Sequence, residues 1–260
     1  MKIIGHRGAR GHAPENTLLS LQTAMVLGAD MVEFDVYALP SGELVLMHDH
    51  RVDRTTSGQG RTMHQKFSQL RSLDAGDGEK VPTLQEALDL VKGKIGVNIE
   101  LKGRFTAHLV AKTIEAALQQ PWWTPKHFLI SSFDHHELQD FRSFAPEIPI
   151  AVLEHTIPLT YAASAQIQGA MAVNPNHEFL TREYVEDAHS RGLKVFAYTV
   201  NEPDDIEDMV RLGVDGVITD YPDRARAVLA MRCSSRARME KSTKVLYESS
   251  WMGGGDKANR

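Results

Sequence analysis

Cysteine is nearly absent: Cys233 stands alone among 260 residues. One thiol cannot build an internal disulfide framework, and nothing in the sequence pairs it with a catalytic base. Long apolar runs are missing as well. None approaches the ~18–20 residues of a spanning helix, so no transmembrane segment is expected. The opening MKIIGH lacks the hydrophobic stretch of a secretory signal and reads as a strand entering a turn, which makes the cytoplasm the expected compartment. Neither sign of charge is gathered into a block; 29 Lys and Arg oppose 34 Asp and Glu, for a net charge of -5. That argues against nucleic acid, and against stable membrane association, as the main business of the chain, while leaving room for a local basic pocket. The GxGxxG fingerprint of a dinucleotide site is also missing. Oligomeric state is not legible.

What the chain does have is a regular alternation. Short apolar strands are predicted at 2–5, 30–36, 43–48, 94–102, 126–131, 148–154, 170–174, 193–200 and 215–220, with helical stretches between most of them. The 43–48 segment follows a Pro-Ser-Gly turn and is expected to pair back on 30–36 as a hairpin. In VPTLQEALDLVKG, Thr83 and Glu86 have capping-box spacing, Leu84, Ala87, Leu88 and Val91 form one apolar stripe, and Gly93 can end the helix. Gly28, Gly192 and Gly213 are similar stops, while Pro203 and Pro222 suit the first turn of a helix. Eight strand–helix repeats in about 230 residues fit an α/β fold of the TIM-type (β/α)8 barrel better than a doubly wound sheet. The expected division is a barrel domain over 1–230 and a C-terminal extension over 231–260, partly flexible.

The polar residues cluster where strands end. In DMVEFDV, Glu33 and Asp35 share one face of the strand, and Val32, Phe34 and Val36 the other. NIELK repeats the pattern with Asn98, Glu100 and Lys102 on one side. Carboxylates are costly occupants of a dry barrel core, whereas at its C-terminal rim they surround the place where barrel enzymes work. Glu33, Asp35 and Glu100 together make a hard oxygen site for one divalent cation, Mg²⁺ or Ca²⁺, with Mn²⁺ also compatible. Taken singly, each reads more simply as a rim ion pair with Arg7 or Lys102.

His6 and His48 each end a strand, so both can face the same mouth and move protons near neutral pH. His12, His50, His64 and His177 carry no such placement and read as surface or structural. Arg7 and Lys102 add the charge that a phosphoryl group needs. Cations and a metal on one side, with an acid/base pair on the other, suit hydrolysis of a phosphodiester.

The ordered set HRG at 6–8, PENT at 14–17, EFD at 33–35, HD at 48–49 and ELK at 100–102 resembles the glycerophosphodiester phosphodiesterase family, most of all its small bacterial cytosolic type. The likeness continues through DRTTSGQG, LDAG, VPTLQEAL, SSF, AYTVN and DGVITDYP to about Ala230. The resemblance implies a metal-dependent hydrolase that converts glycerophosphodiesters such as glycerophosphocholine or glycerophosphoethanolamine to sn-glycerol 3-phosphate and an alcohol. It implies Glu33, Asp35 and Glu100 as metal ligands, His6 and His48 as the acid/base pair, and Arg7 and Lys102 on the phosphate. Glu15 and Asn16 would line the same mouth, and Tyr198 would border the substrate, with core packing as its competing role. Either water attacks directly, or the glycerol 2-hydroxyl attacks first to give a cyclic phosphate; the order of the two histidines is open. A related barrel phosphodiesterase acting on lysophospholipids or phosphoinositide-like substrates would use nearly the same residues. A metal-dependent aldolase or isomerase, or a non-catalytic barrel, would leave the HRG and HD pairs without a task.

Overall fold

A computed structural model describes residues 1–232. Its strands are β1 (Lys2–Gly5), β2 (Met31–Ala38), β3 (Leu44–Leu46), β4 (Gly96–Lys102), β5 (Phe128–Ser132), β6 (Ile150–Glu154), β7 (Ala172–Pro175), β8 (Lys194–Ala197) and β9 (Gly216–Thr219). They lie in the order β1-β9-β8-β7-β6-β5-β4-β2-β3, and β1 also pairs with β2, which closes eight parallel strands into a barrel. The ninth, β3, is antiparallel to β2, as the turn before it predicts. Each predicted strand is present, β1 with the predicted bounds and the others with at least one end shifted by a residue or more.

The helices are α1 (Leu18–Val26), α2 (Phe67–Ser72), α3 (Leu84–Val91), α4 (Thr106–Leu118), α5 (His135–Phe144), α6 (Ala163–Ile167), α7 (Arg182–Ser190) and α8 (Pro203–Leu212). A ninth, α9, begins at Pro222 and runs to the end of the described residues. Thr83 and Glu86 form the reciprocal cap of α3, and Pro203 opens α8. Two consecutive left-handed residues close α3, Lys92 as its C-cap and then the expected Gly93. The extension expected over 231–260 lies outside the described residues beyond its first two positions.

Strand alternation sorts the core into two layers. Val32, Phe34, Val36, Val97, Ile99 and Leu101 face outward and pack under the helices. Ile4, Met31, Leu129, Ala151, Ala172, Phe196 and Ile218 fill the barrel interior. Burying a Leu-, Ile- or Phe-sized side chain contributes roughly 1.5–3 kcal/mol, so these layers supply the rigidity on which the rim is built. The segment 52–78, in which little periodicity is legible, is not structureless. It holds α2, and its Val52, Leu70 and Ala75 pack with Val45, Met47 and Val81 in a satellite core against the β2–β3 hairpin. Among the described residues, no helix is long and apolar enough to cross a membrane.

Candidate active site

The mouth begins where β1 ends. The His6 N–H donates to the Thr219 carbonyl at 2.8 Å, which fixes the strand exit beside β9. The chain then turns sharply. Gly8 has φ of +87°, and a Cβ there would sit 2.4 Å from Ser20 Oγ, so this position demands glycine. Thr17 caps α1 by accepting from the Ser20 N–H, and Ser20 Oγ donates to the Arg7 carbonyl at 2.9 Å. HRG and PENT are thus one folded unit.

Parallel pairing of β2 with β4 aligns Glu33 with Asn98 and Asp35 with Glu100. Among the described residues, the Glu33, Asp35 and Glu100 carboxylates form the one metal-competent cluster, with a ligand atom from each lying within 4.8 Å of the others. All three are buried. Glu33 Oε1 is buried and accepts no hydrogen bond among the described residues, and Asp35 Oδ1 and Glu100 Oε1 are buried with only the Lys102 ammonium beside them. Two further oxygens are engaged, Glu33 Oε2 by the Arg7 N–H at 2.8 Å and Asp35 Oδ2 by Asn16 Nδ2 at 2.9 Å. Three convergent hard carboxylates, with Glu33 Oε1 left without a partner among the described residues, fit a divalent cation. Burial, reinforced by the Asp35 charge, pushes Glu33 well above the usual carboxylate range and Glu100 up to about 8. Burial works against ionised Asp35 too, but Lys102 and Arg7 outweigh it and hold this group low.

Two cations stand at the cluster. Lys102 Nζ pairs with Glu100 and lies 3.3 Å from Asp35 Oδ1, while Arg7 Nε lies 3.4 Å from Asp35 Oδ2. The simple ion-pair role is therefore realised along with the clustering. His6 Nδ1 meets Asp220 Oδ1 at 2.7 Å, and His48 Nδ1 meets Asp49 Oδ1 at 2.6 Å. Asp220 is held in turn by Arg10 Nε at 2.8 Å and Asn201 Nδ2 at 2.8 Å. Burial lowers both imidazoles below the ordinary 6.5, opposed by Asp220 at His6 and by Asp35 at His48. A neutral ring whose Nδ1–H faces a carboxylate keeps its Nε2 lone pair for another partner.

His6, Arg7, Glu33, His48, Glu100 and Lys102 line one cavity of about 160 Å³. Its opposite wall is less polar: Phe133, Leu153, Tyr198 and Ile218, with His155 beside them. The Tyr198 and Phe133 rings meet edge-on at 6.0 Å, and the Tyr198 hydroxyl donates to the Glu154 carbonyl at 3.1 Å, so this tyrosine both borders the cavity and ties two strands. Glu15 and Asn16 stand behind the lining. Glu15 Oε1 accepts from Arg7 Nη1 at 2.7 Å, and Asn16 grips Asp35 through both its side-chain amide atoms.

Sequence reasoning did not single out Asp220, Phe133 or Arg54. Asp220 carried the same signal as His6, a polar residue directly after an apolar strand. Phe133 lies in the SSF segment of the family likeness, but a phenylalanine between strand and helix ordinarily reads as core.

Comparison with known proteins agrees with this geometry. A family model described as the glycerophosphoryl diester phosphodiesterase family matches residues 6–224. The chain is similar to the putative glycerophosphodiester phosphodiesterase YhdW of Bacillus subtilis, at 37% identity over 235 residues, covering 86% of this chain and 96% of that protein. It is also 36% identical, over 231 residues, to a glycerophosphodiester phosphodiesterase of Caldanaerobacter subterraneus, covering 85% and 94%. Among solved structures, an Oleispira antarctica phosphodiesterase in complex with the product sn-glycerol-3-phosphate superposes with a TM-score of 0.82 at 30% identity, over 88% of this chain and 97% of that one.

Proposed function

Because the chain belongs to the glycerophosphoryl diester phosphodiesterase family, and is a hydrolase of that family, we propose that it converts small glycerophosphodiesters, such as glycerophosphocholine and glycerophosphoethanolamine, to sn-glycerol 3-phosphate and an alcohol. The observation that carries this reading is the single cavity in which two carboxylate-anchored histidines, two cations and two carboxylates of the three-carboxylate cluster meet.

In this reading Glu33, Asp35 and Glu100 hold one divalent cation, Mg²⁺, Ca²⁺ or Mn²⁺. When bound, the cation supplies Lewis-acid stabilisation of the phosphoryl oxygens. Arg7, with its planar fork, and Lys102, as a point charge, draw the phosphoryl group against the carboxylate side. Asp220 and Asp49 hold the two imidazoles with Nε2 turned to the cavity. One Nε2 takes a proton from the attacking hydroxyl; the other ring, as imidazolium, gives one to the departing alkoxide. The bound phosphate favours that imidazolium, since an anion beside a histidine raises its pKa. Internal attack by the glycerol 2-hydroxyl is the favoured route, because it has the nucleophile already tethered beside phosphorus.

A second reading has an observation of its own. Phe105, Phe133, Leu159 and Phe179 are all exposed, and they sit on the loops after β4, β5, β6 and β7, four neighbouring strands on one side of the mouth. An apolar rim beside a phosphodiester cavity would suit the acyl chain of a lysophospholipid. The test is release of sn-glycerol 3-phosphate from glycerophosphocholine, and of lysophosphatidic acid from lysophosphatidylcholine, with EDTA and after Mg²⁺ or Ca²⁺ is restored. Cation-dependent release from the first alone supports the main reading; faster turnover of the second replaces it. A glycerophosphodiester lacking only the 2-hydroxyl should not be turned over, and normal turnover would reject internal attack.

A further inference from the structure

The geometry points to Arg54, on the loop after β3, as a positioning residue that sets His48 and Arg7 together. Its guanidinium lies between two carboxylates. Nε donates to Asp49 Oδ2 at 2.7 Å, and Nη2 reaches Asp49 Oδ1 at 3.1 Å. On the other side Nη1 donates to Glu15 Oε2 at 2.7 Å and Nη2 to Glu15 Oε1 at 2.7 Å. Each carboxylate has a second partner inside the cavity wall. Asp49 Oδ1 is the atom that holds His48 Nδ1, and Glu15 Oε1 is the atom that holds Arg7 Nη1. One side chain therefore fixes the partners of a proton-transfer group and of a phosphate-facing group at once.

The chemistry separates Arg54 from the cations that face substrate. Arg7 Nε makes no hydrogen bond among the described residues, and Arg7 and Lys102 both line the cavity. Arg54 spends its donors on Asp49 and Glu15, does not line that cavity and is half exposed. It acts through them rather than on the reacting atoms. Guanidinium suits the task because its donors lie in one rigid plane and can serve two carboxylates simultaneously; a lysine ammonium is a single compact charge. Without Arg54, Glu15 would keep only Arg7 and Asp49 only His48, and the two carboxylates would be left facing each other across the loop, less tightly held in the positions that set those partners.

The loop does not depend on Arg54 for its own shape. Val52 N–H donates to the Gly60 carbonyl at 3.0 Å, Gly60 N–H to Asp53 Oδ2 at 2.9 Å and Thr62 Oγ1 to the Asp49 carbonyl at 2.9 Å. Val52 is fully buried in the satellite core. Removing the guanidinium thus leaves the backbone anchored, and an effect on turnover can be told from unfolding.

The role rests on reading the cavity as a phosphodiesterase site, so its test has one arm that needs no substrate. In histidine-15N-labelled protein, wild-type His48 should show a fixed Nδ1–H tautomer, and Arg54→Ala should show tautomer averaging while the His6 signal stays in place. An unchanged His48 tautomer would overturn the proposal whatever the substrate is. With a phosphodiester that the wild type hydrolyses, Arg54→Ala should lower kcat/KM about 10–100-fold, the range for residues that orient a ligating or reacting group. Arg54→Lys should recover only part of it, and added ethylguanidinium should restore part of the alanine variant's rate. In a Glu15→Gln background the Arg54→Ala change should fall on kcat, and in an Asp49→Asn background on KM. A change within twofold in every background, or a loss matched by the fraction unfolded, would reduce Arg54 to a surface ion pair.

Discussion

Glu33→Gln is expected to raise the melting temperature of the metal-free protein while abolishing turnover, a loss of about a thousandfold or more from the cation's several kcal/mol of charge stabilisation. The two effects share one cause. Glu33 is buried, its Oε1 is undersatisfied, and Asp35 and Glu100 face it, so its charge is costly until a cation arrives. A glutamine keeps an acceptor for the Arg7 N–H that now bonds Glu33 Oε2, and places a donor where the repulsion was. The pH dependence has a definite sign. Glu100 is raised from 4.5 to about 8 by burial and then by Asp35, so the stability its protonation contributes is full below about 4.5 and is lost as pH rises from there through about 8. The metal-free wild type should therefore melt progressively lower from pH 5 to pH 9. Saturating Ca²⁺ or Mg²⁺ should reverse the trend, since a ligand of the folded state stabilises it by mass action. The gain from Glu33→Gln should grow as pH rises, because the raised Glu33 group takes on the cost of its buried charge as it ionises. Thermal melts in EDTA across that range decide it. A variant less stable than wild type at every pH would mean that Glu33 is held as the structural partner of Arg7, and the metal assignment would go with it.

The barrel was legible because its two layers obey different rules at alternating positions. Val32, Phe34 and Val36 announce a face that must be covered, and Glu33 with Asp35 announces one that must not be a dry core. Strand spacing then orders the repeats, and the β2–β4 register brings Asp35 and Glu100 side by side. The 52–78 excursion was not legible, since α2 is short and its core is assembled from Val45, Met47 and Val81 on either side of it in sequence. Arg54 was hidden for a related reason. An arginine in a polar loop is ordinarily a solvated charge, and its importance appears only when Glu15, 39 positions earlier, lies beside it. Asp220 meets His6 from the far end of the chain, 214 residues away, a contact that only closure of β9 on β1 creates. Residues in direct line with the strand pattern can be read from sequence; those that position them through loops require the fold.

The second large effect separates the two histidines by chemistry rather than by rate alone. His6→Ala and His48→Ala should each slow hydrolysis of glycerophosphocholine by about 10²–10⁴-fold, the usual contribution of a positioned acid or base. A glycerophosphodiester carrying p-nitrophenol in place of choline needs little protonation as its alcohol departs. With that substrate the variant lacking the acid should recover to within about tenfold of wild type, and the variant lacking the base should not. Which histidine is which follows directly from the variant that recovers. The internal-attack route adds a sharper consequence. In its first half the base removes the 2-hydroxyl proton, the 2-oxygen bonds phosphorus, and the bond to the departing alcohol breaks. In its second half the roles reverse: the group that served as acid now takes a proton from water, and its partner returns one to the 2-oxygen as the ring opens. The recovered variant thus retains the first half and lacks the group needed for the second. It should release p-nitrophenol and accumulate the five-membered cyclic glycerol phosphate, visible by 31P NMR, with sn-glycerol 3-phosphate appearing only slowly. Direct appearance of sn-glycerol 3-phosphate in step with p-nitrophenol would establish attack by water instead. Equal recovery of both variants would deny any division of labour between His6 and His48, although each holds its own carboxylate, 2.7 Å away at Asp220 and 2.6 Å away at Asp49.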